Sequence, residues 1–129
     1  MTIEPDVGDT VYAPMFDRTG VVEQFKGEWA MIEMVDGTAA LECHKLVVPS
    51  KHAMSRWRTR VGDGDASERI AEGWMNGTVL DGPHGMHGDE VRLDTDADVV
   101  LVRKENAVAT VLARRDWKPR LQGAVEAVE

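Results

Sequence analysis

The chain has a single cysteine, Cys43, in 129 residues, so no internal disulfide can form. It also lacks long apolar runs. No stretch approaches the roughly 20 residues that span a bilayer, and the first residues lack the basic-then-apolar pattern of a secretory signal. A lone thiol without such segments leads us to expect a cytoplasmic protein with no membrane partner. There is no internal repeat, low-complexity tract, glycine-rich phosphate loop, Ser-His-Asp set or carboxylate pair, so the common sequence signatures of those chemistries are missing. Positive charge is scarce as well: 15 Lys and Arg face 23 Asp and Glu, for a formal net charge of -8. That balance argues against indiscriminate nucleic-acid binding but leaves room for a local basic site.

The composition that remains, 43% hydrophobic and 29% charged, is that of a globular chain. Its length allows one domain or two very small ones. The charge is unevenly placed. Residues 1–49 hold nine acids and three bases, whereas residues 50–129 hold fourteen acids and twelve bases. The change falls at Pro49-Ser50, where a proline ends an extended run and a serine can cap a helix. We therefore expect a unit over 1–49, a second over 50–120, and a short tail over 121–129 that frays from Gly123 onward.

The first unit reads as short strands. Val11, Val21, Val22, Trp29, Met31, Ile32 and Met34 are strand-type residues, and Asp17-Arg18-Thr19-Gly20, Lys26-Gly27 and Asp36-Gly37 supply turns. Over residues 7–49, Gly8-Asp9-x-Val11, Thr19-Gly20-x-Val22 and Asp36-Gly37 give a stretch that resembles SH3-like barrels of the KOW or Tudor type. The resemblance implies a small β-barrel that binds nucleic acid, peptides or a neighbouring domain. The acidity of the segment favours docking to a protein partner over nucleic acid.

The second unit opens with "SKHAMSRWRTRVGDG", in which Ser50 can cap a helix to about Arg60, ended by Gly62 and Gly64. At 100° per residue, His52, Arg56 and Arg60 share one face, while Ala53, Met54, Trp57 and Val61 are available for packing. A second helix is expected from about Asp65 to Met75, with Ala66, Ile70, Ala71, Trp74 and Met75 as its buried stripe. Three strands follow, in "VRLDT", "DVVLVRK" and "AVATVLARR". Strict alternation in the last would put Val108, Thr110 and Leu112 on one face and Ala107, Ala109 and Val111 on the other. The fold class is therefore α+β: an N-terminal SH3-like β-barrel, then two helices and an antiparallel β-sheet.

This order, with His52-Ala53-x-x-Arg56-Trp57-x-x-Arg60 on a helix and "VVLVRKxxAVATVL" on the terminal strands, resembles phage-associated ribonuclease domains of the barnase–EndoU–colicin–RelE-like superfamily. The resemblance covers about residues 50–113. It implies toxin-like, metal-independent RNA cleavage, without a cofactor, in which a ribose 2′-OH attacks the adjacent phosphate. RNA, either tRNA or mRNA, would be the partner, in the cytoplasm of a host cell or in association with a virion. His52 would be the general base or acid, since imidazole titrates near pH 6.5 at about neutrality. Arg56 and Arg60 would clamp phosphate oxygens, and Thr110 would donate a hydrogen bond. Arg58, Arg103, Lys104 and Arg114 would hold flanking phosphates, and either Trp57 or Trp117 would stack a base. A second proton-transfer group could come from His84, His87 or Lys104.

Three plainer readings stand beside these. The basic helix can be a solvated face, or His84 and His87 a loop without chemistry. Cys43 reads more readily as a buried structural thiol than as a nucleophile. A non-catalytic viral or phage structural or regulatory protein, binding a partner through its barrel, is the alternative function. The sequence does not set the oligomeric state.

Overall fold

The computed structural model describes residues 2–62, 64–81 and 88–129. His84 and His87 lie outside the described residues.

The turn signals of the first fifty residues produce an antiparallel meander: β1 (Thr10–Ala13), β2 (Arg18–Lys26), β3 (Trp29–Met34) and β4 (Gly37–Glu42), paired in that order. Alternation sets the faces. Ala30 and Ile32 of β3 are fully buried with Val11, Val22 and Leu41, while Trp29 and Glu33 point outward. Thr19-Gly20 has a packing reason: a Cβ on Gly20 would lie 2.5 Å from Ile32 Cγ2 and 2.8 Å from the Glu33 carbonyl. The four strands form an open sheet, with no pairing of β4 to β1 among the described residues. Instead a 3₁₀ turn (Cys43–Lys45) carries the chain back, and Val47 exchanges backbone hydrogen bonds with Tyr12 at 3.0 and 2.8 Å.

The chain then changes sheets. β5 (Val48–Pro49) pairs in parallel with the last strand of a second sheet, ordered β5-β9-β8-β7-β6. Its other strands are β6 (Thr78–Val79), β7 (Glu90–Asp94), β8 (Val99–Lys104) and β9 (Ala107–Ala113), all antiparallel to one another. Between β5 and β6 lie α1 (Lys51–Arg60) and α2 (Ala66–Asn76). Both helices start where the sequence provides a cap: the Ser50 side chain accepts from the Ala53 N–H, and the Asp65 carboxylate from the Glu68 N–H.

α1 and α2 cover one face of the second sheet, where Ala53, Trp57, Ile70 and Trp74 meet Val99, Leu101, Val108 and Val111. The other face is covered by α3 (Pro119–Val128), whose Leu121 and Val125 pack with Trp117 on Val100, Val102, Val91 and Leu93. This corrects the expectation that the chain frays from Gly123, since the helix runs on to Val128. Leu121 and Val125 are each 1% exposed, and burying such a side chain stabilises by about 1.5–3 kcal/mol. The observed fold is α+β with three helices and two sheets.

The two sheets share a seam. Asn106, in the β8–β9 turn, accepts from the Ile3 N–H and donates to the carbonyls of Ile3 and Cys43, at 2.9–3.0 Å. Across the same boundary the Thr10 N–H donates to Ser67 Oγ at 3.0 Å. Cys43 is buried, and desolvation raises its thiol pKa above the ordinary value. That suits a structural thiol rather than a nucleophile.

Candidate nucleic-acid interface

α1 lies along β9, anchored at its start. Ser50 Oγ, besides capping the helix, donates to the Ala109 carbonyl at 3.3 Å, and the Ser50 N–H donates to the Val108 carbonyl. Ala53 and Trp57 are buried toward the sheet, so the opposite side of the helix faces solvent with His52, Arg56 and Arg58 exposed. None of these three has a hydrogen-bond or ion-pair partner among the described residues, although acids outnumber bases in the chain. The arginines of the second sheet differ: Arg92 pairs with Glu90, Arg103 with Asp89 and Glu90, and Arg114 with Asp98 and Glu129.

Arg60, at the end of α1, is half-buried and its Nε lies 3.2 Å from Asp116 Oδ2 in the 3₁₀ turn Arg114–Asp116. That turn follows β9 and brings Arg114 and Arg115 to the end of α1. Arg60, Arg114 and Arg115 line an open groove of about 380 Å³ together with Thr59, Ala97 and Asp98. Three guanidiniums around one groove can hold phosphate oxygens with forked hydrogen bonds. Sequence reading named Arg60 and Arg114 but missed Arg115, because only the tertiary fold carries the β9 end to the helix.

The remaining candidates are spread out. His52 and Arg56 are about one helical turn apart, whereas His52 and Arg60 are just over two turns and roughly 12 Å apart along the axis. His52 and Arg60 therefore address different groups of a ligand. Thr110 is the cross-strand partner of Val102, which packs under α3, so it lies on the sheet face opposite α1 and away from His52. The reason is a β-bulge: Val102 pairs with Thr110 but Arg103 with Val108, leaving Ala109 as the extra residue. Val108 and Val111 consequently share the helix-covered face, which corrects the strict alternation expected for this strand. Arg103 and Lys104 end β8 at the hairpin, roughly 16 Å along the strand from Val99 and the groove.

The two tryptophans also have structural occupations. Trp57 is 3% exposed within the core, which leaves no ring face open for stacking. Trp117 donates from Nε1 to the Leu112 carbonyl, and the Arg114 guanidinium sits 4.9 Å over its ring.

A second cleft, of about 230 Å³, lies between α1, α2 and the β7–β8 turn. Asp94 is at its base, 8% exposed. Its Oδ1 accepts the N–H groups of Asp96 and Ala97 at 3.1 and 3.2 Å, while Oδ2 lies against α2 at Gly73. A Cβ on Gly73 would come 2.3 Å from that oxygen, so only glycine admits the carboxylate. Burial pushes the Asp94 carboxyl up from its ordinary 3.8, against the lowering effect of the two backbone donors and Arg69. The sequence signal for this cleft was Gly73 itself, an isolated glycine inside a helical pattern. Among the described residues, no three His, Cys, Asp or Glu are grouped to hold a metal ion, and no helix is long and apolar enough to cross a membrane.

Two helices on one face of a small sheet, with a basic outer helix and an arginine-lined groove at its end, define a small α+β domain with a localised basic surface. Residues 48–121, more than half of the chain, match a family model described as "Putative RelE superfamily toxin domain". The chain belongs to this family of RelE-superfamily toxin domains. No curated protein and no solved structure matches the chain. The match begins at β5 and ends in the first turn of α3, so it takes in the second sheet with α1 and α2 and leaves the N-terminal meander outside.

Proposed function

We propose that this chain is a toxin-type endoribonuclease that cuts RNA without a metal ion, using the outer face of α1 as its RNA-binding surface. The observation that carries the reading is that His52 and Arg56, one turn apart, and Arg58 on another side of α1 are all exposed and have no hydrogen-bond or ion-pair partner among the described residues of an acidic chain. In this reading the RNA backbone runs along α1 into the groove of Arg60, Arg114 and Arg115. His52 takes the proton from a ribose 2′-OH. The freed oxygen attacks the adjacent phosphorus, the bond to the 5′-oxygen of the next nucleotide breaks, and that oxygen takes up a proton from solvent, to which His52 returns its own, leaving a 2′,3′-cyclic phosphate and a 5′-hydroxyl. Arg56, one turn away, offsets the charge that builds on the phosphoryl oxygens. Thr110 has no part in this arrangement, because it sits across the sheet.

The test is cleavage of a panel of tRNAs and mRNAs by purified protein in the presence of EDTA. Products with cyclic phosphate ends, lost on His52→Ala, support the reading. Intact RNA at both low and moderate salt, or equal cutting by the His52→Ala variant, overturns it.

A second reading has one observation in its favour. The outward side of the N-terminal meander exposes Trp29 at 44% and Val21 at 40%, beside an acidic surface. On that reading the meander, seen as an SH3-like module closed by Val47 against Tyr12, binds a protein partner and the second unit does no chemistry. It requires a defined complex by light scattering that is lost on Trp29→Ala and indifferent to His52→Ala.

A further inference from the structure

We infer that the open edge of β4 (Gly37–Glu42) docks an extended segment of a partner protein as a further strand, one in which cationic and apolar side chains alternate. This rests on the reading of the meander as a protein-binding module, and it holds whether or not the second unit cuts RNA. The edge differs from the others in the fold. β1 meets Val47 through Tyr12, and β5 and β6 are two residues long each. β4 runs for six residues in unbroken antiparallel register with β3. On its other side, no backbone group of Gly37–Glu42 has a partner among the described residues. Folded proteins usually blunt such an edge with lysine, proline, a bulge or a covering segment, because free N–H and C=O groups template another strand. The sequence "GTAALE" holds no lysine or proline, and no bulge interrupts it. Gly37, Thr38 and Ala40 are small and exposed, so a second backbone can approach closely.

The side chains around the edge select the occupant. From Glu28 to Glu42 the β3–β4 hairpin holds four acids, Glu28, Glu33, Asp36 and Glu42, and no lysine or arginine. A second copy of the chain would set acid against acid there, so a cationic strand fits where a copy does not. Alternation decides where its charges go. Side chains on one face of an added strand extend the row of Ala39 and Leu41, which pair with the buried Ile32 and Ala30 of the meander interior. Those on the other face fall beside Thr38, Ala40 and Glu42, which pair with Glu33, Met31 and Trp29. Apolar residues suit the first row, and lysine or arginine the second. Trp29 is two strand spacings, about 10 Å, from an added strand, so a long cationic side chain can reach its exposed ring. The wider surface agrees with a docking role. Six of the nine large apolar side chains that are exposed among the described residues belong to the first 49. The family match begins at Val48, so this edge lies outside the matched domain.

The experiment follows hydrogen exchange at the backbone amides of the ¹⁵N-labelled full chain during titration with three short synthetic peptides. One alternates lysine and valine, one alternates glutamate and valine, and one is the lysine–valine peptide with its backbone amides N-methylated. The inference expects the plain lysine–valine peptide to bind at least about tenfold more tightly than either of the others. At saturation, exchange within Gly37–Glu42 should slow by about tenfold. Trp29→Ala should weaken binding about threefold, and Glu33→Gln with Glu42→Gln should remove the preference for lysine over glutamate. These three side chains are at least partly exposed, and the N-methylated peptide tests the edge without altering the protein at all. Absence of binding, or equal binding of the lysine and glutamate peptides, overturns the inference. So does binding that N-methylation leaves intact, which would mark a charged surface without strand addition. A concentration-dependent dimer in light scattering that protects Gly37–Glu42 overturns it as well, because the edge then takes a second copy. The two readings fail separately. A peptide complex lost on Trp29→Ala without protection of Gly37–Glu42 refutes strand addition alone. RNA cleavage lost on His52→Ala refutes the non-catalytic reading and leaves the edge site standing.

Discussion

Arg60 Nε donates to Asp116 Oδ2 across 3.2 Å, and the same oxygen accepts the Ala113 N–H at 3.1 Å. One carboxylate oxygen thus ties the end of α1 to the end of β9 and fixes the turn that presents Arg114 and Arg115. Asp116→Ala is expected to cost about 1–3 kcal/mol, since a charge-assisted pair is lost and the Ala113 N–H is left without its partner. Urea denaturation measures this. A change below about 0.5 kcal/mol would mean that the pair is not what holds the groove together.

Arg56 and Arg58 are exposed and make no hydrogen bond or ion pair among the described residues, so Arg56→Ala and Arg58→Ala should leave stability within about 0.5 kcal/mol. Each is nevertheless expected to weaken RNA binding and to lower the slope of log affinity against log salt by about 0.7, the value per phosphate contact on a single strand. Fluorescence anisotropy at several salt concentrations reads both quantities. An unchanged slope for either variant removes that arginine from the backbone path.

Asn106 joins the two sheets through three hydrogen bonds to Ile3 and Cys43 and is 6% exposed. Asn106→Ala should destabilise by about 2–3 kcal/mol, because backbone groups at the seam lose their partner. If the meander and the second sheet instead unfold in two separate transitions with the first unaffected, the seam does not couple them.

Asp94 gives a pH dependence with a definite sign. Its folded pKa is raised by burial, so at a pH between the unfolded and folded values the native state holds more protons than the unfolded state. Its contribution to stability therefore falls as pH rises from about 3.8 through the raised value, and is level above it. Asp94→Asn keeps an oxygen for the Asp96 and Ala97 N–H groups and abolishes this titration. The stability of Asp94→Asn relative to the natural chain is expected to grow with pH across the carboxylate range and then plateau. A constant difference from pH 3.5 to 7 would sink the assignment.

Leu121→Ala tests whether α3 belongs to the fold. Loss of a fully buried leucine at the face of Val100 and Val102 should cost about 2–5 kcal/mol. Differential scanning calorimetry checks it, and a midpoint shift under a degree would return the segment to the status of a loose tail.

Much of the local structure was legible because it is written in short-range chemistry. Ser50 and Asp65 stand where helices begin, Ala53 and Trp57 four apart define the buried side of α1, and Asp36-Gly37 turns the β3–β4 hairpin. These signals act within a few residues, so the sequence alone determined the α+β class and the buried side of α1. What lay beyond it depends on contacts between distant segments. The bulge at Ala109 moved Thr110 to the face under α3, and no residue type at that position announces it. Tail residues 121–128 form a helix because Leu121 and Val125 find Val100 and Val102, about twenty residues earlier in the chain. Arg115 reached Arg60, and Asp94 reached Gly73 and Trp57, only through the packing of α1 and α2 on the second sheet. Sequence fixes what each segment prefers to be; the register of strands and the burial of apolar faces decide which side chains meet, because those energies belong to pairs of segments and not to either one alone.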